Sequence, residues 1–169
     1  MITKEIPSTG EALPVIGLGT YRAFNATLYP KKMKELQDVL TLFLEAGGTL
    51  IDSSPMYGKA ESVTGDILAN INTNHKAFLA TKVWTDGKQN GINEMNESLR
   101  KMRCTELNLM QVHNLVDCDT HLSTLREWQT AGKIQYIGIT HYTENAFDEL
   151  GRYLKKYPEI NFCQFPYSI

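Results

Sequence analysis

The sequence has few cysteines, no long apolar run and no excess of positive charge. Its three cysteines, Cys104, Cys118 and Cys163, are odd in number and lack metal-ligand spacing, so we expect free thiols in a reducing compartment and no metal site. No stretch reaches about 18 consecutive apolar residues, and the first residues lack an apolar signal region, so we expect a cytoplasmic protein without a membrane span. The formal net charge is −2 and no basic stripe is present, which argues against nucleic-acid binding.

Short apolar runs that are typical of strands alternate along the chain with stretches of helical periodicity. A hairpin turning at residues 8–10 comes first. The predicted strands then cover residues 15–20, 49–52, 78–82, 107–113, 135–140 and 161–167. The predicted helices cover residues 31–47, 60–71, 91–103, 120–132 and 143–157. This alternation predicts an α/β fold with a parallel sheet, and no linker divides the single predicted domain of residues 1–169.

Polar side chains stand at or just after the ends of three of these strands. Asp52 ends the run TLID and is followed by Tyr57, Lys82 ends AFLATK, and His113 ends LNLMQVH. Because the carboxyl ends of parallel strands meet at one rim, catalytic groups are commonly placed there. Singly, each residue has a structural alternative: an Asp52–Lys82 ion pair, a hydrogen-bonded core histidine and an aromatic packed in a turn. In combination, they predict a reactive site.

The order and spacing of these residues resemble the aldo-keto reductases. Members of that family carry D-x-x-x-x-Y-G-x-[ASE]-E after the second barrel strand, a lysine closing the third strand and a histidine closing the fourth. The matching residues here are Asp52, Tyr57, Gly58, Glu61, Lys82 and His113, together with the segments IGLGTYR and AGKIQYIGIT, Trp84 and Gln164. The resemblance implies a (β/α)8 barrel and an NADP-dependent oxidoreductase that reduces aldehydes or ketones to alcohols.

The chemistry of carbonyl reduction assigns a role to each of the four residues. Hydride addition places negative charge on the carbonyl oxygen, so the site needs a proton donor and hydrogen-bond donors aimed at that oxygen. Tyr57 is the candidate general acid, and we expect the Lys82 ammonium to lower its pKa from about 10. Asp52 supplies the counter-charge of Lys82, and a ring nitrogen of His113 orients the carbonyl oxygen.

The resemblance also implies a site for NADP(H). Gly19, Thr20 and Tyr21 match the family segment beside the nicotinamide and pyrophosphate, and Asp52 lies next to it. Where the family usually has Ser-Asn after the fifth strand, this chain has Thr140-His141, and the later Gln164 is retained. The predicted cofactor-binding residues are therefore Gly19, Thr20, Tyr21, Asp52, Thr140, His141 and Gln164.

Aromatic side chains at a barrel mouth are candidates for the walls of a substrate pocket. We expect Tyr21 and Trp84, with His113, to contact a small carbonyl substrate, although packing of rim aromatics against the fold is an alternative. Asp117 and His121 follow His113 in the chain, but they do not belong to any apparent set of metal ligands.

The chain has 169 residues, whereas a (β/α)8 barrel typically takes about 250. We therefore predict a barrel truncated after about the sixth strand, with strands 7 and 8 absent. Open first and sixth strands would favour self-association. An alternative function is a non-catalytic barrel remnant, or an auxiliary interaction subunit, that lacks the site for the cofactor phosphate.

Overall fold

The computed structural model describes residues 1–73 and 76–167; positions 74–75 and 168–169 of the predicted domain lie outside the described residues. This part of the chain contains a two-stranded and a six-stranded sheet. The strands are β1 (Thr3–Glu5), β2 (Ala12–Pro14), β3 (Leu18–Gly19), β4 (Leu50–Asp52), β5 (Phe78–Val83), β6 (Leu107–His113), β7 (Ile134–Thr140) and β8 (Phe162–Gln164). The helices are α1 (Pro30–Glu45), α2 (Ala60–Asn70), α3 (Lys88–Lys101), α4 (Cys118–Thr130) and α5 (Phe147–Lys156).

The first two strands form the predicted hairpin. β1 and β2 pair antiparallel, and the turn between them is closed by the Gly10 N–H, which donates to the Ile6 carbonyl oxygen at 2.8 Å. The Thr9 hydroxyl lies 2.7 Å from the Tyr136 hydroxyl near the start of β7. The hairpin therefore packs against the amino-terminal end of the parallel strands, opposite the rim that carries the candidate site.

Six parallel strands of the described residues form one curled sheet in the order β3-β4-β5-β6-β7-β8. A helix lies between each pair of consecutive strands. The curvature brings β8 across the concave side: Gln164 lies 3.4 Å from the Asp52 carboxylate on β4, and the Phe162 and Phe78 ring centroids are 6.1 Å apart. The predicted α/β fold is confirmed, as an incomplete (β/α)8 barrel with five helices in the described residues.

Apolar side chains pack on both faces of the curled sheet. The larger cluster fills the space between the sheet and the helices and includes Leu40, Ile67 and Leu122. A smaller cluster on the concave side contains Phe78 and Tyr136, with Ile6 from the hairpin side. Burial on both faces explains why these strands have the continuous apolar runs typical of parallel sheets.

Helix α1 illustrates how the local sequence sets these elements. Leu36 and Leu40 are buried one turn apart, while Val39 is 43% exposed, so the apolar stripe follows the helical period. Gly47 has φ +85°, and the N–H groups of Gly47 and Gly48 donate to the carbonyls of Leu44 and Phe43. This pattern satisfies two of the last free carbonyls and ends the helix at a glycine in the left-handed conformation, as is common at helix C-termini.

The predicted limits differ from the structure mainly at the two outer strands. The expected strand 15–20 is reduced to β3 (Leu18–Gly19), because the Val15 N–H donates to the Ile2 carbonyl in the hairpin. The expected strand 161–167 is reduced to β8 (Phe162–Gln164). Helices α3 and α4 begin two or three residues earlier than predicted, and a 3-10 turn at Glu144–Ala146 precedes α5.

Candidate active site

The Asp52 carboxylate and the Lys82 ammonium form a buried ion pair near the carboxyl ends of β4 and β5. Lys82 Nζ lies 2.8 Å from Asp52 Oδ1, 2.7 Å from Oδ2 and 2.7 Å from the Ser53 carbonyl oxygen. Lys82 is only 1% exposed. Burial lowers the pKa of Lys82, while the Asp52 charge opposes that shift. The three acceptors use all the N–H donors of a charged ammonium.

Two glutamine amides also donate to the Asp52 carboxylate. Gln111 Nε2 lies 3.2 Å from Oδ1, and Gln164 Nε2 lies 3.4 Å from Oδ2. Sequence reasoning missed Gln111, although a signal was available: it lies two positions before His113, and side chains two apart on a strand point to the same face. Gly138 on β7 makes room for it, because a Cβ there would lie 2.8 Å from Gln111 Cγ.

Tyr57 lies at the same mouth, at the end of a 3-10 turn formed by Pro55–Tyr57. Gly58 follows it with φ +62°, a conformation that glycine adopts without a steric cost. The Tyr57 ring centroid is 5.2 Å from Lys82 Nζ, 5.9 Å from the His113 ring and 5.0 Å from the Tyr21 ring. The structure thus brings the four predicted catalytic residues together.

The electrostatic environment of Tyr57 differs from the expectation. Burial, followed by the negative charge of Asp52 and the neighbouring Tyr21, raises the pKa of Tyr57 to about 12. The expected lowering by Lys82 is therefore wrong for this arrangement. Burial disfavours the phenolate and the Asp52 charge acts in the same direction, whereas the Lys82 ammonium is already paired with that carboxylate. A protonated phenol at neutral pH is the form that a general acid requires.

His113 is held as a neutral imidazole. It is 5% exposed, and burial, followed by the charges of Lys82 and His141, lowers its pKa to about 4. Nδ1 lies 2.9 Å from Ser54 Oγ, which already accepts from the Met56 N–H at 3.2 Å. This pairing favours donation of the Ser54 hydroxyl hydrogen to Nδ1, which leaves the hydrogen of the ring on Nε2.

Ser54 is a second residue that sequence reasoning missed. It immediately precedes the turn that carries Tyr57, and its hydroxyl also contacts His113. The available signal was a hydroxyl residue two positions after Asp52, directly before proline, in a place where serine commonly begins a turn or helix. Ser54 therefore connects the turn that carries Tyr57 to the ring of His113.

Glu61 matches the family motif but lies outside the site. It is fully buried on α2, and its Oε1 accepts from the Thr81 hydroxyl at 2.7 Å. Burial raises the pKa of Glu61. The contact joins α2 to β5 beside Lys82, so Glu61 supports the strand without reaching the mouth.

The predicted cofactor residues of the first strand lie beside Asp52. Gly19 pairs in register with Asp52, and the Thr20 N–H donates to the Asp52 carbonyl oxygen at 3.0 Å. The buried Thr20 hydroxyl lies 3.0 Å from the same carbonyl oxygen and 3.0 Å from Ser53 Oγ. Thr20 thus ties β3 to the turn after β4, while the Tyr21 side chain is 57% exposed.

The other predicted cofactor residues lie at the ends of β7 and β8. Thr140 pairs in register with Gln164, and the His141 N–H donates to the Gln164 carbonyl oxygen at 3.1 Å. His141 Nδ1 lies 3.1 Å from the Thr143 hydroxyl. The Gln164 side chain, which is exposed, faces Asp52 across the concave side.

An open cleft of about 340 Å³ continues from this rim into the concave side of the sheet. Asp52, Gln111 and Gln164 line it together with apolar residues that include Phe162 and Phe165. The predicted pocket residues Tyr21, Trp84 and His113 do not line this cleft. They lie around Tyr57 at the mouth, where the Trp84 and His113 ring centroids are 6.4 Å apart.

Metal-ligand clusters and membrane-spanning helices are both absent from residues 1–73 and 76–167. No group of three or more His, Cys, Asp and Glu side chains is arranged to hold a metal ion in this part of the chain. None of its helices has the length and apolar character needed to span a bilayer.

Comparison with known proteins places these observations in a family. The model for the "Aldo/keto reductase family" matches residues 15–169. Methylglyoxal reductase YeaE of Escherichia coli is 31% identical over 158 residues, which cover 89% of this chain and 54% of YeaE. The chain spans about half the length of the curated relatives it matches.

Solved structures have the same fold. A thermostable aldo-keto reductase, Tm1743, in complex with the inhibitor epalrestat, superposes with a TM-score of 0.80 at 24% identity, over 99% of this chain and 63% of Tm1743. A Bombyx mori aldo-keto reductase in complex with NADP gives a TM-score of 0.75 at 20% identity, over 98% of this chain and 58% of that protein.

Proposed function

The chain belongs to the aldo/keto reductase family, and we propose that it reduces aldehydes or ketones to alcohols with a hydride from NADPH, using Tyr57 as the general acid. The observation that carries this proposal is the grouping of Tyr57, the Lys82–Asp52 pair and His113 at one mouth. The Tyr57 ring lies 5.2 Å from Lys82 Nζ and 5.9 Å from the His113 ring.

The proton that the reaction needs comes from Tyr57 in this proposal. NADPH, when bound, supplies the hydride that adds to the carbonyl carbon. The Tyr57 O–H bond breaks as its proton passes to the carbonyl oxygen, which gives the alcohol and NADP⁺, and the phenolate then regains a proton from solvent. The neutral His113 donates from Nε2 to the same oxygen and orients the carbonyl group.

The ion pair assists Tyr57 in its second role, as a transient anion. In the resting site the Lys82 ammonium is compensated by Asp52 at 2.7 Å, so the phenol keeps its proton. When the proton leaves, the Lys82 ammonium stabilises the phenolate only by turning from Asp52 towards the Tyr57 oxygen.

The groups at the ends of β7 and β8 fit the carboxamide of a nicotinamide ring. The exposed Gln164 amide offers both a donor and an acceptor, and the His141 N–H holds the Gln164 carbonyl oxygen at 3.1 Å. Tyr21 presents an exposed aromatic face beside Tyr57. These residues are proposed to hold the nicotinamide end of NADPH, while Asp52 contacts the same region through its bonds with Gln164 and Lys82.

The proposed function is tested by replacing Tyr57 with phenylalanine and following NADPH oxidation with methylglyoxal or 4-nitrobenzaldehyde. Loss of the proton donor should lower kcat by about 10²- to 10⁴-fold, while the Kd for NADPH stays close to that of the unmodified protein. Tyr29→Phe is the matched control, because Tyr29 is exposed at the start of α1. Equal turnover by Tyr57→Phe and Tyr29→Phe would contradict the role of Tyr57.

The same assay separates the reductase from the alternative of an auxiliary interaction subunit. A protein that binds NADPH and oxidises it only when a carbonyl substrate is present is the expected result. A folded protein that neither binds NADPH nor turns over any of a panel of aldehydes would favour the interaction subunit.

A further inference from the structure

We propose that Asp117 and His121 are positioning residues that fix the loop carrying Trp84 and thereby set the width of the site mouth. This inference rests on the proposed function for its effect on substrate binding. The geometry of the clamp, however, is independent of any activity. Neither residue has a part in the proton transfer proposed for Tyr57.

Four side chains anchor the loop between β5 and α3, residues 84–87. One of them is Asn90 on α3, whose Nδ2 donates to the Asp86 carbonyl oxygen at 2.9 Å. The Thr85 carbonyl oxygen accepts from His121 Nε2 at 2.6 Å, and the Gly87 N–H donates to Asp117 Oδ2 at 2.8 Å. The Trp84 N–H donates to the Glu94 carboxylate on α3. Two of the four anchors therefore come from the segment that follows His113 rather than from the elements adjoining the loop.

His121 is fixed in place by close packing. It is fully buried on α4, and a Cβ at Gly91 would lie 2.5 Å from its Cε1, so only glycine leaves room for the ring. His121 Nε2 donates to the Thr85 carbonyl oxygen, and Nδ1 is buried without a hydrogen-bond partner in residues 1–73 and 76–167. An apolar side chain of similar volume would fill the space without that cost. The bond to Thr85 is therefore what a histidine adds at this position.

The Asp117 carboxylate is aimed at the loop by an unusual backbone. Positive φ angles occur at three residues of this segment: +54° at Asn114, +57° at Leu115 and +43° at Asp117. This left-handed conformation is unfavourable for residues other than glycine. This segment begins directly after His113. It turns the chain so that Asp117 reaches the Gly87 N–H. The hydrogen bond from Thr120, followed by the one from the Gly87 N–H, lowers the pKa of Asp117.

The clamp joins the two sides of the mouth. Trp84, which is 41% exposed, has its ring centroid 6.4 Å from that of His113. The loop of Trp84 is bound to the segment after His113 at two points. The spacing between the two rings is therefore held by Asp117 and His121, and this spacing limits which substrates can approach Tyr57.

The clamp also accounts for the presence of Asp117 and His121, two residue types that often bind metals, in one segment. Asp117 and His121 bind separate backbone groups, Gly87 N–H and Thr85 C=O. Their side chains therefore do not converge on one point as metal ligands would.

The first test measures the loop directly, by acrylamide quenching of tryptophan fluorescence in the purified protein. Trp84 is 41% exposed and Trp128 is 6% exposed, so the accessible signal reports on Trp84. Asp117→Gly removes the acceptor and suits the left-handed backbone, whereas Asp117→Asn keeps an acceptor oxygen and is the matched control. We expect a higher quenching constant in Asp117→Gly and an unchanged one in Asp117→Asn. Equal quenching in all three proteins would overturn the clamp.

The second test measures substrate binding in the same proteins and in His121→Leu, with His121→Gln as the variant that keeps an N–H donor. A loosened wall should raise the KM for 4-nitrobenzaldehyde by about three- to tenfold, with kcat changed by less than about twofold. A fall in kcat at unchanged KM would contradict a positioning role. If no variant or parent protein has reductase activity, the proposed function fails, and quenching alone decides on the clamp. If His121→Leu does not fold, the Asp117 pair decides both tests.

Discussion

Acidification should expose the cost of keeping His113 neutral inside the protein. Burial and the nearby Lys82 and His141 lower its pKa to about 4, whereas a histidine in an unfolded chain titrates at about 6.5. Between these two pH values, His113 is mostly protonated in the unfolded chain and mostly neutral in the folded protein. The contribution of His113 to stability is therefore fully present above pH 6.5 and is lost as the pH falls towards 4.

The size of the effect follows from the two pKa values. Between pH 7 and pH 5, linkage through a single group with these values lowers the free energy of unfolding by about 2 kcal/mol. His113 is 5% exposed, so solvent screening reduces this figure little. The other ionisable groups also contribute to the pH dependence, and a matched variant is needed to remove their share.

The assay is urea unfolding of the purified protein at pH 7 and pH 5, compared with His113→Asn. Asparagine does not titrate, and its side-chain oxygen can still accept from the Ser54 hydroxyl. The unmodified protein should lose about 2 kcal/mol more than His113→Asn over this interval. If the two proteins lose the same free energy to within about 0.5 kcal/mol, the reasoning about His113 is refuted.

Three further predictions concern neighbouring groups and the open edges of the sheet. Lys82→Met should lower the free energy of unfolding by about 3–5 kcal/mol, because it leaves the Asp52 charge buried and unpaired. In chemical denaturation, the double variant Lys82→Met with Asp52→Asn should be more stable than Lys82→Met. Equal or lower stability of the double variant would contradict this reasoning. Ser54→Ala should reduce kcat by up to about tenfold through loss of one hydrogen bond to His113, whereas an unchanged kcat in steady-state kinetics would exclude an orienting role. A polypeptide of these 169 residues alone should self-associate, since β3 and β8 are edge strands in the described residues. Light scattering that shows a monodisperse monomer would contradict this prediction.

The strands and the grouping of Asp52, Tyr57, Lys82 and His113 could be predicted from the sequence because the apolar runs and the polar residues that follow them are local signals. β6 has the predicted limits, Leu107–His113, since its apolar run is long and ends on a polar residue. The prediction for β3 was too long because the Val15 N–H bonds to Ile2 in the hairpin. The sequence of a single strand does not reveal such a pairing. The limits of β6 could thus be predicted from its own sequence, whereas those of β3 also depend on the hairpin.

The electrostatics of the site could not be predicted because they depend on how donors are shared in space. The family pattern placed Lys82 near Tyr57, but the Ser53 carbonyl oxygen takes the third hydrogen bond of the ammonium, and this is a property of the folded turn. Two contacts of the Trp84 loop likewise join residues 30 or more positions apart, Asp117 with Gly87 and His121 with Thr85. Periodicity contains no information about such pairs.

The most direct test of the central claim follows the fate of the transferred hydrogen. The purified protein is incubated with an aldehyde and with NADPH that carries deuterium at both hydrogen positions of nicotinamide C4, and the alcohol is analysed by mass spectrometry. If the chain carries a reductase site with Tyr57 as proton donor, the alcohol contains deuterium on its carbinol carbon, and Tyr57→Phe forms this product at least about 10²-fold more slowly. An alcohol without deuterium, or labelled alcohol formed equally fast by Tyr57→Phe, would contradict the account.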